Sequence, residues 1–257
     1  MALTVNTNVF SLAAQKNLTR TSSSLETSIQ RLSSGLRINM AKDDAAGLGV
    51  AQLQTAQARG LTVAQRNIAD GTSFLNVADA TLRSVSDMMQ RQRELAVQAG
   101  SGLYTAAQVG YMSAEFDALT SEITDSLGRA SFNGTAVFGG GGAIQVGANA
   151  ADTIDITVAA LGARTGVITS SDSLDTDLDL VAAALADIGA LESRLEQAGR
   201  VAASMEEAQY AAAGRVMDAD FARETAAMTS AQVVQQAGVA ALAQANSIPQ
   251  LALSLLR

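Results

Sequence analysis

Cysteine, histidine and tryptophan are all missing from this 257-residue chain, and proline occurs once, at Pro249. The first absence excludes disulfides, thiolate metal sites and thiol nucleophiles. The second removes the commonest general base together with the commonest metal ligand. With so little proline, almost nothing interrupts helices. Aromatics make up 4% of the chain against 48% for all hydrophobic residues, so the apolar mass is mostly Ala, Leu, Val and Ile. Those residues suit interlocking helices better than ligand pockets. A net charge of −8 disfavours binding to a phosphate backbone. We therefore expect no nucleic-acid partner, no cofactor, no metal and no catalytic residues. No apolar run approaches the ~20 residues of a spanning helix, so membrane insertion is not expected. The first basic residue is Lys16, so no secretory signal with a basic start is visible. General rules alone would place the chain in the cytoplasm.

Charge is also missing locally. Residues 1–15 carry no ionisable side chain, and neither do residues 225–256. Both ends are nonetheless patterned as helices, with Val5, Val9 and Leu12 in one and Val239, Leu242, Leu251 and Leu255 in the other. A helix with small or apolar residues around most of its girth has to be enclosed on several sides. A chain terminus normally sits at the surface and frays. Two such ends suggest that neighbouring copies supply the enclosure. The remaining charge is uneven, with a net +3 over residues 1–100 and a net −11 over 101–257. That asymmetry favours packing the first part against the rest, within or between subunits.

What is present is helical periodicity. Leu61, Ala64, Ile68, Gly71, Leu75, Ala78, Leu82, Val85, Met89, Gln92, Ala96 and Ala99 alternate steps of 3 and 4 without a slip. This is a heptad seam, with Gly71 and Gln92 as points of close contact or polar register. If 44–99 is one helix, it is about 84 Å long. A compact globule of this size would be only about 47 Å across, so an elongated form is expected. A second helix opens at Thr105, whose spacing to Gln108 makes a capping box, and stops at Gly128. It turns Val109, Met112, Phe116, Leu119, Ile123 and Leu127 inward. A third run follows the acidic start at Asp172 through Leu174, Leu178, Val181, Leu185, Ile188, Leu191 and Leu195. Gly214 and Asp218–Asp220 then mark a break and a new N-cap. Near the start, Leu25, Ile29, Leu32 and Leu36 form another seam, with a turn at Ser33–Gly35. Only residues 129–171 differ. Asn133–Gly134, Gly139–Gly142 and the alternating stretches around Ile144 and Ile154 read as short hairpins on glycine turns. The four glycines lack the GK[ST] of a phosphate loop. The expected fold is mainly α, an elongated rod of long antiparallel, coiled-coil-like helices with a small central β-hairpin region.

Several motifs are similar to those of a known family. Asn6–Leu12, Arg31–Asn39 and Asp43–Leu48 resemble the N-terminal signature of bacterial flagellin. Val216–Ala222, Gln235–Gly238 and Pro249–Arg257 resemble its C-terminal signature, and Arg93–Gln98 also matches. The resemblance covers about residues 1–130 and 172–257. Met40 and Gly49 depart from the usual small residues, and Gln92 stands where an aliphatic residue is common. The resemblance implies a filament subunit of the flagellum that is exported through the flagellum's own type III channel. It therefore implies an extracellular protein in place of a cytoplasmic one. It also implies an inner tube of terminal helices, formed by residues 1–43 and 215–257, inside an outer helical layer formed by 44–128 and 172–214. The insert of 129–171 is too short for the outer domains of large flagellins, so a minimal form is expected.

The implied partners are further copies of the chain, a flagellar export chaperone, and the filament cap and junction proteins. The assembly residues are Val5, Val9, Leu12, Leu25, Ile29, Leu32, Val239, Leu242, Leu251 and Leu255. Arg91, Leu95 and Glu115 match the surface that an animal flagellin-sensing Toll-like receptor binds in family members, a surface that also makes axial subunit contacts. Arg91 and Leu95 are four residues apart and off the seam, so we expect them to face outward together. A hook–filament junction protein of the same family is the alternative. A zinc protease, carried centrally by some flagellins, needs histidine ligands that this chain lacks.

Overall fold

The seam from Leu61 to Ala99 lies on a single helix of the computed structural model, α2 (Ala45–Ala99). Helix α1 (Val9–Ser34) precedes it and α3 (Ala106–Arg129) follows. Four short strands come next: β1 (Ser131–Phe132), β2 (Thr135–Ala136), β3 (Ala143–Gln145) and β4 (Thr153–Asp155). Helices α4 (Ser171–Met217) and α5 (Phe221–Leu255) complete the order. The structure describes residues 7–160, 168 and 171–255, with backbone alone for 171 and 248–255. The class is mainly α with a small hairpin region, as expected. The chain divides into two compact units, Met1–Thr55 with Tyr210–Arg257, and Ala56–Gln209.

In the Ala56–Gln209 unit the seam is the core. From Leu61 to Ala96 every expected seam position on α2 is buried, and Ala99 is half-buried. The weak positions do what their chemistry allows. Gly71 admits the side chain of Ile144 from β3, where a Cβ would collide with its Cδ1. Gln92 is buried, and its Nε2 donates to the Phe116 carbonyl at 3.2 Å and to Thr120 Oγ1 at 2.8 Å. Helix α3 presents Phe116 and Ile123 inward, and α4 presents Leu174, Val181, Ile188 and Leu195. The capping box forms, with Thr105 Oγ1 accepting from the Gln108 amide and Gln108 Oε1 accepting from the Thr105 amide. Helix α3 runs one residue past Gly128, to Arg129.

Between α3 and α4, β1 and β2 form a hairpin whose two turn residues, Asn133 and Gly134, both have positive φ. That is the twist-matched two-residue turn for which Asn-Gly is preferred. Strands β3 and β4 pair antiparallel with Ile144 opposite Ile154, so both apolar side chains meet the helical core.

In the other unit, Asn8 Oδ1 caps α1 by accepting from the Ser11 amide at 3.1 Å, and Gly35 ends the helix at φ +72°. Of the two break signals before α5, Gly214 stays inside α4. Asp220 makes the break: its Oδ1 accepts from the amides of Ala222 and Arg223 at 3.0 and 3.2 Å. A carboxylate there satisfies the first free N–H groups of α5, which a glycine side chain cannot do.

Candidate assembly surface

Helices α1 and α5 pair antiparallel. Asn8 Nδ2 donates to the Ala245 carbonyl at 2.8 Å, Gly238 sits against Leu18, and Arg31 pairs with Glu224 at 2.9 Å. The stripe that this pairing covers keeps a 3-and-4 rhythm. On α5 it holds Glu224, Met228, Ala231, Gln235, Gly238, Leu242 and Ala245; on α1 it holds Ser11, Ala14, Leu18, Thr21, Leu25, Ser28 and Leu32. Most of these side chains are small or polar. Among the described side chains of the two helices, the buried ones are Ser11, Ser28, Glu224 and Ala245. Small residues let two helices approach closely, whereas a large apolar seam holds them further apart.

The large apolar residues are on the outside. Val9 is 62% exposed and Val239 55%, and Phe10, Leu12, Ile29, Phe221, Val233 and Val234 are exposed with them. The expected assembly residues therefore divide. Val9, Leu12, Ile29 and Val239 are free for other partners, while Leu25, Leu32 and Leu242 are half-buried on the paired stripe. Ile29 does not join the seam with Leu25 and Leu32. The next inward position is Ser28, because a helix facing one close partner covers only a narrow stripe. Val5 lies outside the described residues, as do the side chains of Leu251 and Leu255, whose backbone belongs to α5.

The polar residues of this surface are largely self-satisfied. The hydroxyls of Thr19, Thr21, Ser23, Ser24 and Thr27 each donate to the carbonyl four residues earlier, and Thr225 and Thr229 on α5 do the same. A neighbour that excludes water would leave none of these donors orphaned. The sequence reading missed Phe10, Phe221, Val233 and Val234. They stand beside the 3-and-4 steps rather than on them, and their membership of uncharged or weakly charged segments was the available signal.

The second patch is built from α2 and α3. Arg91 Nε donates to Glu115 at 3.0 Å and its Nη1 to Glu94 at 2.9 Å, all three half-exposed or more. The hydrogen bonds to Glu94 and then Glu115 raise the Arg91 pKa above its ordinary value. Leu95 does not face outward with Arg91. It is 2% exposed and packs with Ala96, Phe116 and Leu174. Helix α2 packs against both α3 and α4 at this level, so its buried arc is wider than one heptad seam and takes in Leu95 beside Ala96.

Among the described residues, no group of three or more acidic side chains is placed to hold a metal ion. No helix of the described residues is long and apolar enough to cross a membrane.

Comparison with known proteins decides what the two units belong to. Residues 5–143 match the bacterial flagellin N-terminal helical region, and residues 171–256 match the bacterial flagellin C-terminal helical region. The chain belongs to the flagellin family. Flagellin FlaB1 of Treponema pallidum (strain Nichols) is 35% identical over 98% of this chain and 99% of its own length. A flagellin of Xenorhabdus nematophila is 34% identical over the whole of both chains. With a flagellin of Salmonella muenchen the match is 43% identical but spans 64% of this chain and 33% of the other. This flagellin is therefore a small form of a structural protein, not an enzyme. It is a self-polymerising subunit of the extracellular flagellar filament.

Proposed function

We propose that neighbouring copies enclose the α1/α5 pair, so that it becomes the inner layer of the filament, and that residues 44–128 and 172–214 supply the outer helical layer. The observation that carries this reading is the burial pattern: the buried side chains of the pair are Ser11, Ser28, Glu224 and Ala245, the leucines of the stripe are only half-buried, and Val9, Phe10, Leu12, Ile29, Phe221, Val233, Val234 and Val239 lie outside. Each exposed large side chain gains about 1.5–3 kcal/mol on full burial, which no single chain collects here. The terminal helices are then stable mainly in the polymer. Amide hydrogen exchange tests this. In the monomer, residues 9–34 and 221–247 should exchange much faster than the α2 seam, and polymerisation should protect them. Equal protection of both regions in a verified monomer contradicts the proposal.

Secretion through the type III channel, an export chaperone, and contacts with cap and junction proteins follow from the same reading. Filament elongation from seeds, followed by electron microscopy, separates a filament subunit from a hook–filament junction protein: only the first grows long filaments.

The Arg91–Glu115 patch is the proposed contact for the flagellin-sensing receptor and for the axial neighbour. Leu95 supports it from beneath. Arg91→Ala should reduce monomer signalling in a receptor reporter assay without changing the melting temperature. Leu95→Ala should act through stability, with a loss of about 2–5 kcal/mol. Full signalling by a folded Arg91→Ala monomer removes the patch from the receptor contact.

A further inference from the structure

Where the hairpins come down on α2, they enclose a pocket of about 310 Å³. That is the lower end of the range for small-molecule sites, so it suits a ligand of few heavy atoms. Helix α2 supplies Asp70, Gly71 and Phe74, β1 supplies Phe132, and β3 with Ile156 completes the lining. Ile144 of β3 reaches into the space that a Cβ at Gly71 would take, so the hairpin lies close against the helix. All of these residues belong to the Ala56–Gln209 unit.

The pocket combines one uncompensated negative charge with aromatic surface. Asp70 is the only ionisable residue of the lining. It is exposed, and among the described residues it has no ion-pair or hydrogen-bond partner. Arg66 stands one turn earlier on α2 and does not pair with it. Asp70 and Phe74 are four residues apart, so they share a face of the helix. The rings of Phe74 and Phe132 are perpendicular, at 89°, with their centroids 6.2 Å apart. A perpendicular pair engages the face of one ring only, and the other faces keep the negative side of their quadrupole free. Phe74 is buried and Phe132 half-buried, so Phe132 supplies the open aromatic surface. The amide side chains nearby are already engaged. Asn67 Nδ2 donates to the Gln145 carbonyl at 3.2 Å, and Gln145 Nε2 donates to the Gly147 carbonyl at 3.1 Å.

This lining selects a class of ligand. Calcium needs a cage of oxygen ligands and magnesium a hydrated octahedron, and one carboxylate among isoleucine and phenylalanine side chains offers neither. An anion is repelled by Asp70. A cation that carries its own carbon groups satisfies both halves of the pocket. We infer that the pocket binds a small organic cation, an alkylammonium whose charge sits between the Asp70 carboxylate and the face of Phe132 and whose carbon groups rest on Ile144 and Ile156. The inference goes beyond the filament reading and does not depend on it, because every contact lies within one copy.

Titration of the full-length monomer with tetramethylammonium chloride at constant ionic strength, followed by NMR of labelled phenylalanine rings, tests this. The Phe132 signals should shift saturably. The dissociation constant should fall in the millimolar range, because an exposed charge pair and a single ring contact are each weak. tert-Butyl alcohol, similar in shape but uncharged, should bind at least about fivefold more weakly, and sodium chloride alone should shift nothing. Asp70→Asn should weaken binding about fivefold. Phe132→Leu, read on the Phe74 signals, should weaken it about threefold. Asp87→Asn, which removes an exposed carboxylate elsewhere on α2, should leave it unchanged. The absence of a saturable shift overturns the inference, and so does equal binding of the alcohol. Wild-type affinity in Asp70→Asn overturns it, as does an equal loss in Asp87→Asn, which would reduce the effect to general surface charge. If Phe132→Leu loosens the hairpin, Asp70→Asn decides, since its side chain is exposed and the variant should melt at the wild-type temperature.

Discussion

Residues 56–209 and the α1/α5 pair follow the same 3-and-4 rhythm, yet they put opposite things on the covered stripe. In the first, Leu75, Leu82, Val85, Met89, Ile188 and Leu195 are almost wholly buried, and the charged side chains lie outside. In the second, small or polar residues outnumber the half-buried leucines on the covered stripe, and valine and phenylalanine lie outside. The difference teaches which object each region is folded against. A stripe of leucine buried within one chain marks a region that can hold its own fold. A stripe of small residues with an apolar exterior marks a region completed by other chains. Large apolar side chains exposed in this number are costly for a soluble monomer and ordinary for a polymer subunit.

The sharpest way to break the comparison is to place the same charge in both regions. Val85→Asp buries an unpaired carboxylate at a fully enclosed position, at a cost of several kcal/mol. We expect the Ala56–Gln209 unit to lose its cooperative melt by circular dichroism. Val239→Asp puts the carboxylate on an exposed face of α5, so monomer melting should stay at the wild-type value. Filament growth should nevertheless fail, because polymerisation would bury the charge. Normal filaments from Val239→Asp would erase the distinction between the two regions.

A smaller effect separates two neighbours on α1. Leu25 lies on the stripe facing α5 and Ile29 does not. Leu25→Ser should weaken both the helix pair and the filament, whereas Ile29→Ser should weaken only the filament. Hydrogen exchange across residues 221–247 in the monomer reads the first effect, and the heat stability of filaments reads the second. If both variants loosen the monomer equally, the assignment of Ile29 to an intersubunit face is wrong.

The helices, the capping box at Thr105, the Asn133–Gly134 hairpin and the α2 seam down to its two irregular positions were legible in the sequence. Each depends on spacing within one segment, and local physics fixes it. The polarity of the α1/α5 stripe was not legible. The rule that places Ile29 inside assumes a seam of large apolar residues, whereas the close pairing with α5 takes Ser28 inward and leaves Ile29 exposed. Leu95 was misplaced for a related reason: one heptad stripe describes a helix with one partner, while α2 has two at that level. The motifs near both ends, by contrast, made the family plain, because they are long and occur in the family's order.

Gln92 tests the interior of the first region on a finer scale. Its amide bonds to Phe116 and Thr120, so Gln92→Ala should cost about 1–3 kcal/mol through the empty space and the lost bonds. Gln92→Leu should be near neutral. Thr120 keeps its bond to the Phe116 carbonyl at 3.0 Å, and an aliphatic side chain fills the same volume. A loss with leucine as large as with alanine would show that the polar bonds, and not the filling of the seam, matter at this point.

The smallest expected effect belongs to the ion pair between Arg93 of α2 and Asp175 of α4. Both side chains are about half-exposed. The hydrogen bond from Arg93 holds the Asp175 carboxyl below its ordinary pKa. A depressed carboxylate contributes stability above its unfolded pKa, near 4, and that contribution is lost as pH falls through the lower folded value. Solvent screening keeps an exposed pair weak, so Asp175→Asn should lower the melting temperature of the Ala56–Gln209 unit by no more than about 2 °C at neutral pH. The gap between wild type and variant should close as the pH is taken below that lowered folded value, and should narrow with added salt. The same acid titration should leave the Val85→Asp defect in place, because that defect comes from the lost packing of a buried valine as well as from charge. A gap at Asp175 that widened in acid would reverse the sign of the argument and remove this pair from the forces holding α2 to α4.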